Sequence, residues 1–294
     1  MRISIIIPTY NAEQTIGETI DGILSQDYPS SDYEVIVADN MSTDSTKKIV
    51  SGYPVKYVFA GTKGAAAARN AGVAASQGEW LIFLDSDCVP CEGWLKSFAS
   101  VFDNHNVHAA GGRIVAFPDD NPISKYLADD VFFCNQNEKM TTNVPMPFIL
   151  TGNGAYKKAV FDRLGGFDES LIICEDKDLS WRLLKAGYEM KYVSEAVVTH
   201  RHFTTVKSFA GKMFNYGYGL VVVYKKHRSL EGWGKGRLNI TGYLTLCNRL
   251  LRCLKIPLTK NTDMRWRLLL DTIKQGCFLA GKMAGSIQNK VLFL

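Results

Sequence analysis

Two stretches of the chain carry carboxylates at spacings that could do chemistry. The first is Trp80 to Pro90, WLIFLDSDCVP. Five mostly apolar residues, Trp80 to Leu84, read as a buried strand that runs straight into Asp85 and Asp87. Residues two apart in an extended chain point the same way, so the two carboxylates are expected to converge at the strand's carboxyl end. Hard oxygen donors at the rim of a sheet suit Mg²⁺ or Mn²⁺. A lone Asp-x-Asp step is more often plain turn chemistry, so its setting must decide. The second stretch is CEDKD, which places Glu175, Asp176 and Asp178 at the start of a helix whose buried side is marked by Leu179, Leu183 and Ala186. Acids there are also favoured by the helix dipole, which leaves capping as the rival explanation.

The elements that must position these groups alternate. ISIIIPTYN (residues 3–11) is a β-rich run closed by Pro8, after which Asn11, with Gln14 in the capping-box position, is expected to cap a helix. In that helix Ile16, Ile20, Ile23 and Leu24 form one apolar stripe. YEVIVADN (33–40) is a second strand, STDST (42–46) opens a second helix, VKYVFA (55–60) is a third strand, and GAAAARNAGVAAS (64–76) is a small-residue helix able to lie close to a sheet. With WLIFL as the fourth strand, the pattern predicts an α/β fold with a mainly parallel sheet, right-handed crossovers and ligands at the strands' carboxyl ends. Pro8, Thr9, Tyr10, Asn11, Asp39, Asn40, Asp85 and Asp87 all fall on that rim.

With 294 residues, 46% hydrophobic, the chain can bury one large core or two small ones. No signal peptide is visible, since the run Ile3 to Ile7 is too short for one, and export is not expected. Seven scattered cysteines fit a reducing compartment better than a disulfide framework, and the Cys88–Cys91 pair lacks the partners a zinc site needs. The net charge of +5 hides an asymmetry: residues 201–294 hold 17 Lys and Arg against 3 Asp and Glu. In that part, apolar positions at helical spacing (Val206 to Tyr224), and two apolar stretches (239–258 and 266–294) repeatedly broken by Arg and Lys, predict amphipathic helices with no transmembrane span. Two partners compete for their apolar faces. Anionic membrane lipid suits basic amphipathic helices, and a helical hairpin packed on the core or on another subunit suits stripes of this kind, with Gly276, Gly281 and Gly285 allowing close helix contact. Nucleic acid is disfavoured, as no binding module is present.

Six segments then stand in a telling order: SIIIPTYN (4–11), VIVADNMSTDST (35–46), GAAAARNAGV (64–73), LIFLDSDCVP (81–90), GGFDE (165–169) and CEDKDLSWRLLKAGY (174–188). Together they resemble the GT-A nucleotide-sugar glycosyltransferases of family 2 over about two thirds of the chain. The resemblance implies a GT-A (Rossmann-like) catalytic domain over residues 1–204, with a nucleotide-sugar half (1–110) and an acceptor half (111–204). A basic helical region, 205–294, follows it.

The roles it implies are specific. Pro8, Tyr10, Asn11 and Asp39 would hold the nucleoside, and Arg69 would lie along the nucleoside and diphosphate, where its planar fork suits phosphate oxygens. Asp87 would ligate Mn²⁺ or Mg²⁺ and Asp85 would bind ribose or the metal shell. His200 in VVTHRH would be the third ligand, with His202 as an alternative. Asp176 would be the base that takes the acceptor hydroxyl's proton, with Glu175 beside it. Read from the residues themselves, the glycines of TGNGAYKK suit a backbone that approaches a substrate closely, which puts Asn153 on the acceptor side, with an ordinary turn as the equal alternative, and residues 119–147, which show no period, suggest loops and short helices around the acceptor cleft. The expected reaction is inverting transfer from a nucleoside-diphosphate sugar, a UDP-sugar before others, to a polysaccharide or lipid-linked glycan hydroxyl. The enzyme would work in the cytoplasm at the inner membrane face, with a homo-oligomer through the C-terminal helices as a further expectation. The absence of a QxxRW segment weakens a processive synthase. A sugar nucleotidyltransferase would need a glycine-rich phosphate loop that PTYNAEQ does not supply, and a non-catalytic glycan-binding scaffold would have no use for Asp85, Asp87 and Asp176.

Overall fold

The computed structural model describes residues 2–119, 121–128, 146–230, 233, 240–253 and 262–293. These fall into two compact units. The described residues of 2–117 and 147–201 make up the first, and those of 118–128, 146 and 202–293 the second.

The first unit is built on an eight-stranded sheet of order β3-β2-β1-β4-β7-β6-β8-β5. Its strands are β1 (Ile3–Thr9), β2 (Tyr33–Asp39), β3 (Lys56–Phe59), β4 (Trp80–Leu84), β5 (Cys88–Pro90), β6 (Ala109–Ala116), β7 (Asn153–Lys157) and β8 (Met190–His200). The β3-β2-β1-β4 half is parallel throughout, as the strand–helix alternation predicts. Beyond it β7 runs antiparallel to both β4 and β6, and β5 antiparallel to β8, so the sheet is mixed.

Strand alternation sorts the core into two layers. Ile3, Ile5 and Ile7 of β1 face α1 (Ile16–Leu24), α2 (Thr46–Val50) and α4 (Trp94–Phe102). Ile6, Ile36, Leu81 and Phe83 face α3 (Ala65–Ala74) and the later helices α6 (Lys158–Arg163) and α7 (Glu175–Lys185). The small residues of α3 matter here, because a Cβ on Gly72 would stand 2.5 Å from Ile6 Cγ2. Close approach of that helix is what brings its polar residues over the sheet's rim.

Three local expectations are corrected. Pro8 and Thr9 lie inside β1, paired with Ala38 and Asp39, instead of following it. Asn11 does not cap α1, which begins after Thr15. It adopts φ +49° and accepts from the Thr43 amide at 2.8 Å, because a turn of that hand is needed to bring the chain back beside residues 42–46. Ala186 lies past the end of α7 and is exposed, since the helix is already closing there.

The second unit is helical: α5 (Pro122–Ala128), α8 (Val206–His227), α9 (Ile240–Cys253) and α10 (Thr262–Asn289). Its centre is the crossing of α8 and α10, which touch backbone to backbone. A Cβ on Gly217 would fall 2.0 Å from Phe278 O, and one on Gly281 2.0 Å from Phe214 O. Gly285 packs on Val221 in the same seam, while Gly276 has only an ordinary contact with Leu246. Phe293 folds back to stack on Tyr224 at 4.2 Å, and Asp271 of α10 accepts from Tyr126 of α5 at 2.7 Å. Among the described residues no helix is long and apolar enough to cross a membrane. Most of the stretch 119–147, and Cys134 within it, lies outside the described residues.

Candidate active site

The turn from β4 to β5 places the first carboxylates. Cys88 N–H donates to Asp85 O at 3.0 Å, closing an Asp85–Cys88 turn, and Cys88 pairs with His200 across the β5–β8 ladder. Arg201 N–H donates to Asp87 O at 3.0 Å, and His200 Nε2 stands 3.5 Å from Asp87 Oδ2. The side chains of Asp87 and His200 are 42% and 19% exposed, so the pair can be reached from outside. Donor atoms of Asp87, Cys88 and His200 lie within 4.8 Å of one another. Burial, then the charges of Asp87 and Asp85, push the Cys88 thiol well above its ordinary value, which keeps it a poor ligand and leaves a carboxylate–imidazole pair. That donor set, partly exposed, fits Mn²⁺ or Mg²⁺.

Of the expected metal set, then, Asp87 and His200 come together, and Asp85 turns elsewhere. Its Oδ1 accepts from Arg69 Nη2 at 2.7 Å, and its Oδ2 is 3.0 Å from where a Cβ on Gly152 would stand. His202 is buried and belongs to the second unit.

Arg69 is held by carboxylates of the chain itself. It is 4% exposed, and its other terminal nitrogen, Nη1, donates to Glu175 Oε1 at 2.7 Å. The fork therefore spans two carboxylates 90 positions apart in sequence, from Asp85 to Glu175, where a phosphate clamp was predicted. Among the described residues its buried Nε has no hydrogen-bond partner. Next to it Asn70 pairs with both backbone groups of Phe167, donating to its carbonyl at 2.9 Å and accepting from its amide at 3.0 Å.

Glu175 opens α7. Burial raises its pKa most, Arg69 opposes that rise and Asp176 adds to it. Asp176 is more open; its Oδ1 accepts from the Lys177 amide at 2.7 Å and lies 3.9 Å from Lys177 Nζ. Burial works against charge on Lys177, but Asp176, Cys174 and Glu175 outweigh it and hold the ammonium protonated, 4.0 Å above the Phe148 ring. Cys174, just before the acids, is buried with φ +67°, so backbone strain sits at the entry to the pair. Asp178 is fully buried on Arg182, whose guanidinium also donates to Leu164 O and Gly166 O, so this third acid secures the helix.

The nucleoside end of the rim is ordered by Asp39. It is 2% exposed; Oδ1 accepts from the Ser42 amide at 2.9 Å and Oδ2 from the Tyr57 hydroxyl at 2.7 Å. Burial, and then Asp39, push Tyr57 up to about 12. Tyr57 is a partner that the sequence reading missed, and alternation gave the one clue to it, since it lies on the strand neighbouring Asp39. Tyr10 projects outward at 59% exposure. Asn153 is fully buried, accepts from Trp94 Nε1 at 2.8 Å and donates to Ala196 O at 2.8 Å and Arg113 O at 3.0 Å. With these bonds it ties strands together.

Residues 4–165 match the model of glycosyl transferase family 2. The chain belongs to this family. As a family 2 glycosyltransferase it is 30% identical to the glycosyltransferase AglE of Haloferax volcanii over 236 residues, 77% of this chain and 75% of that one. It is 28% identical to the O-antigen chain rhamnosyltransferase WbaN of Salmonella anatum over 73% of this chain and 70% of that one. In fold the family 2 chain resembles the mannosyltransferase PcManGT of Pyrobaculum calidifontis, solved with GDP-Man and Mn²⁺ (TM-score 0.68, 20% identity, 97% of this chain and 86% of that one). It also resembles S. aureus TarS 1-349 in complex with UDP-GlcNAc (TM-score 0.54, 18% identity, 99% and 93%). The GT-A fold is therefore established, whereas Glu175, Asp176 and His200 lie beyond the matched segment.

Proposed function

We propose that this glycosyltransferase transfers a sugar with inversion from a nucleoside-diphosphate sugar, a UDP-sugar before others, to a hydroxyl of a polysaccharide or lipid-linked glycan. The work would be done by residues 1–204. The observation that carries the reading is the fork of the buried Arg69, which joins Asp85 at the sheet's rim to Glu175 beside Asp176, together with the Asp87–His200 pair that follows Asp85 in the same turn. Asp39, with Tyr57 fixing its second oxygen, offers an acceptor to a nucleobase N–H. Tyr10 supplies an exposed ring beside it, and Pro8 and Asn11 shape the same edge. Asp87 and His200 would hold Mn²⁺ or Mg²⁺, which supplies charge compensation for a diphosphate leaving group. Asp176 takes the proton from the acceptor hydroxyl as its oxygen attacks the anomeric carbon from the face opposite the diphosphate, so one displacement inverts the centre. The mannosyltransferase fold relative solved with GDP-Man and Mn²⁺ supports both donor class and metal.

The test is a thermal-shift screen of UDP, GDP, dTDP and CDP with and without Mn²⁺. At 100 times Kd a ligand stabilises by about 2.7 kcal/mol, a shift of several degrees. A metal-dependent shift with one nucleotide, lost in Asp87→Ala, is expected; no shift with any of them would refute the donor reading.

For residues 205–294 we propose peripheral docking on an anionic membrane, at the inner face. Ile240, Leu244, Cys247 and Leu251 line one exposed face of α9, beside exposed Arg252, in a region strongly basic overall. Flotation with phosphatidylglycerol vesicles but not with phosphatidylcholine vesicles supports it. A concentration-dependent dimer that leaves both vesicle types unbound would assign the stripe to a second copy instead.

A further inference from the structure

We propose that Arg69 and Asn70 act as a positioning strut, holding the donor carboxylate Asp85 and the base helix α7 at a fixed separation, and that Arg69 does not bind the donor. The inference rests on the assignment of Asp85 to the donor side and Asp176 as the base.

Three observations carry it. Both terminal nitrogens of Arg69 are committed at 2.7 Å, one to Asp85 on the β4–β5 turn and one to Glu175 at the first position of α7. A planar fork fixes direction as well as distance, which a lysine ammonium does not. The next residue repeats the connection: Asn70 takes both backbone groups of Phe167, and also donates to Glu169 Oε1 at 2.9 Å, so α3 grips the loop that leads into α7. The arginine is also almost fully buried, its guanidinium 5.7 Å from the Phe167 ring. To reach a diphosphate it would have to leave two carboxylate contacts, one of them buried and to an acid that is itself only 8% exposed. Asp176 follows Glu175 directly, so the strut sets where the base stands relative to the β4–β5 turn.

The test uses the full chain and the variants Arg69→Lys, Glu175→Ala, Glu175→Gln and Asn70→Ala. Nucleotide affinity is measured with UDP, GDP, dTDP and CDP plus Mn²⁺, and turnover as release of the nucleoside diphosphate from UDP-glucose, UDP-GlcNAc, GDP-mannose and dTDP-rhamnose, with water taking the sugar in place of the acceptor hydroxyl. Amide exchange is followed by mass spectrometry. For Arg69→Lys the expected result is nucleotide affinity within about threefold of the unaltered chain and kcat lower by about 100-fold, the size of effect that an ångström of misplacement produces. Glu175→Ala should match it, whereas Glu175→Gln, which keeps an oxygen for Arg69 Nη1, should recover much of the loss. Amides of residues 165–178 should exchange faster in Arg69→Lys and Asn70→Ala, with those of β1 and β2 unchanged. A loss of nucleotide affinity with kcat preserved would overturn the proposal and make Arg69 a donor clamp. If the unaltered chain releases no nucleoside diphosphate from any of these donors, the transfer reading fails, and unchanged exchange at 165–178 would sink the strut separately.

Discussion

The Tyr57 hydroxyl donates to Asp39 Oδ2 at 2.7 Å, from the strand beside the one that ends in Asp39. The bond exists only while the phenol is protonated. Tyr57→Phe should lower stability by about 1 kcal/mol and Tm by roughly 2–4 °C near neutral pH. Because the folded-state pKa is raised from 10.0 to about 12, this stabilisation is full below the unfolded value and lost as pH rises through the folded one. The gap between the two proteins should therefore close from pH 10 to 12, which melts across that range would register.

Asp176→Asn keeps the shape of the side chain and removes its basicity. Loss of a positioned base should cost about 10²- to 10⁴-fold in kcat, with nucleotide binding intact. Single-turnover rates alongside calorimetric nucleotide affinity separate the two; an unchanged rate would move the base elsewhere.

Asp87 and His200 are predicted to act as a pair. Asp87→Ala and His200→Ala should each abolish the Mn²⁺-dependent part of the nucleotide thermal shift, and the double variant should add little more, since groups on one ion are not independent. Equal and additive partial losses would place His200 off the metal.

Glu175 gives a second pH signature, in which burial again raises the pKa but the charge appears in the acidic range. Its pKa is raised in the folded state, chiefly by burial, so the folded chain holds this proton to higher pH than the unfolded chain does. Stability from this group is greatest at low pH and falls as pH rises across the interval between the ordinary and the folded value. Glu175→Gln cannot ionise, so its Tm should gain on that of the unaltered chain as pH is raised through that interval. A constant difference in Tm would show that the Glu175 carboxyl is not shifted.

Much of this was legible in the sequence. The run Trp80 to Leu84 is a strand from end to end, the alanine helix lies close against the sheet, and the rim carries the polar residues expected of it. Periodicity reports which face of an element is buried, and that suffices for elements and rim. It does not report what a buried polar group bonds to. Arg69 looked like a phosphate ligand because an arginine near a phosphate site is chemically apt, yet its partners come from residues 16 and 106 positions away. The same holds for Asn153, as nothing local reveals that Trp94 and two carbonyls bond to it. Gly217, absent from the glycines singled out beforehand, is where α8 meets α10, and only the facing helix shows that.

That crossing gives a stability prediction. With Phe278 O only 2.0 Å from a would-be Cβ, Gly217→Ala must force α8 and α10 apart, costing about 1–3 kcal/mol. Limited proteolysis should show faster cleavage within residues 202–293, while the nucleotide-induced shift persists. Gly276→Ala, with its nearest neighbour 3.7 Å away, is the control expected to change little.

The pairing of β5 with β8 has a consequence for how the protein matures. Val89 and Thr199, neighbours in that ladder, are 110 positions apart, and the strand that delivers His200 is the last of the sheet to leave the ribosome. The Asp87 side can be in place early, but its imidazole partner arrives only when synthesis of the sheet is complete. A nascent or truncated chain ending before β8 would thus carry an assembled nucleoside rim with half a cation site, and gain of Mn²⁺ affinity would time the closing of the sheet.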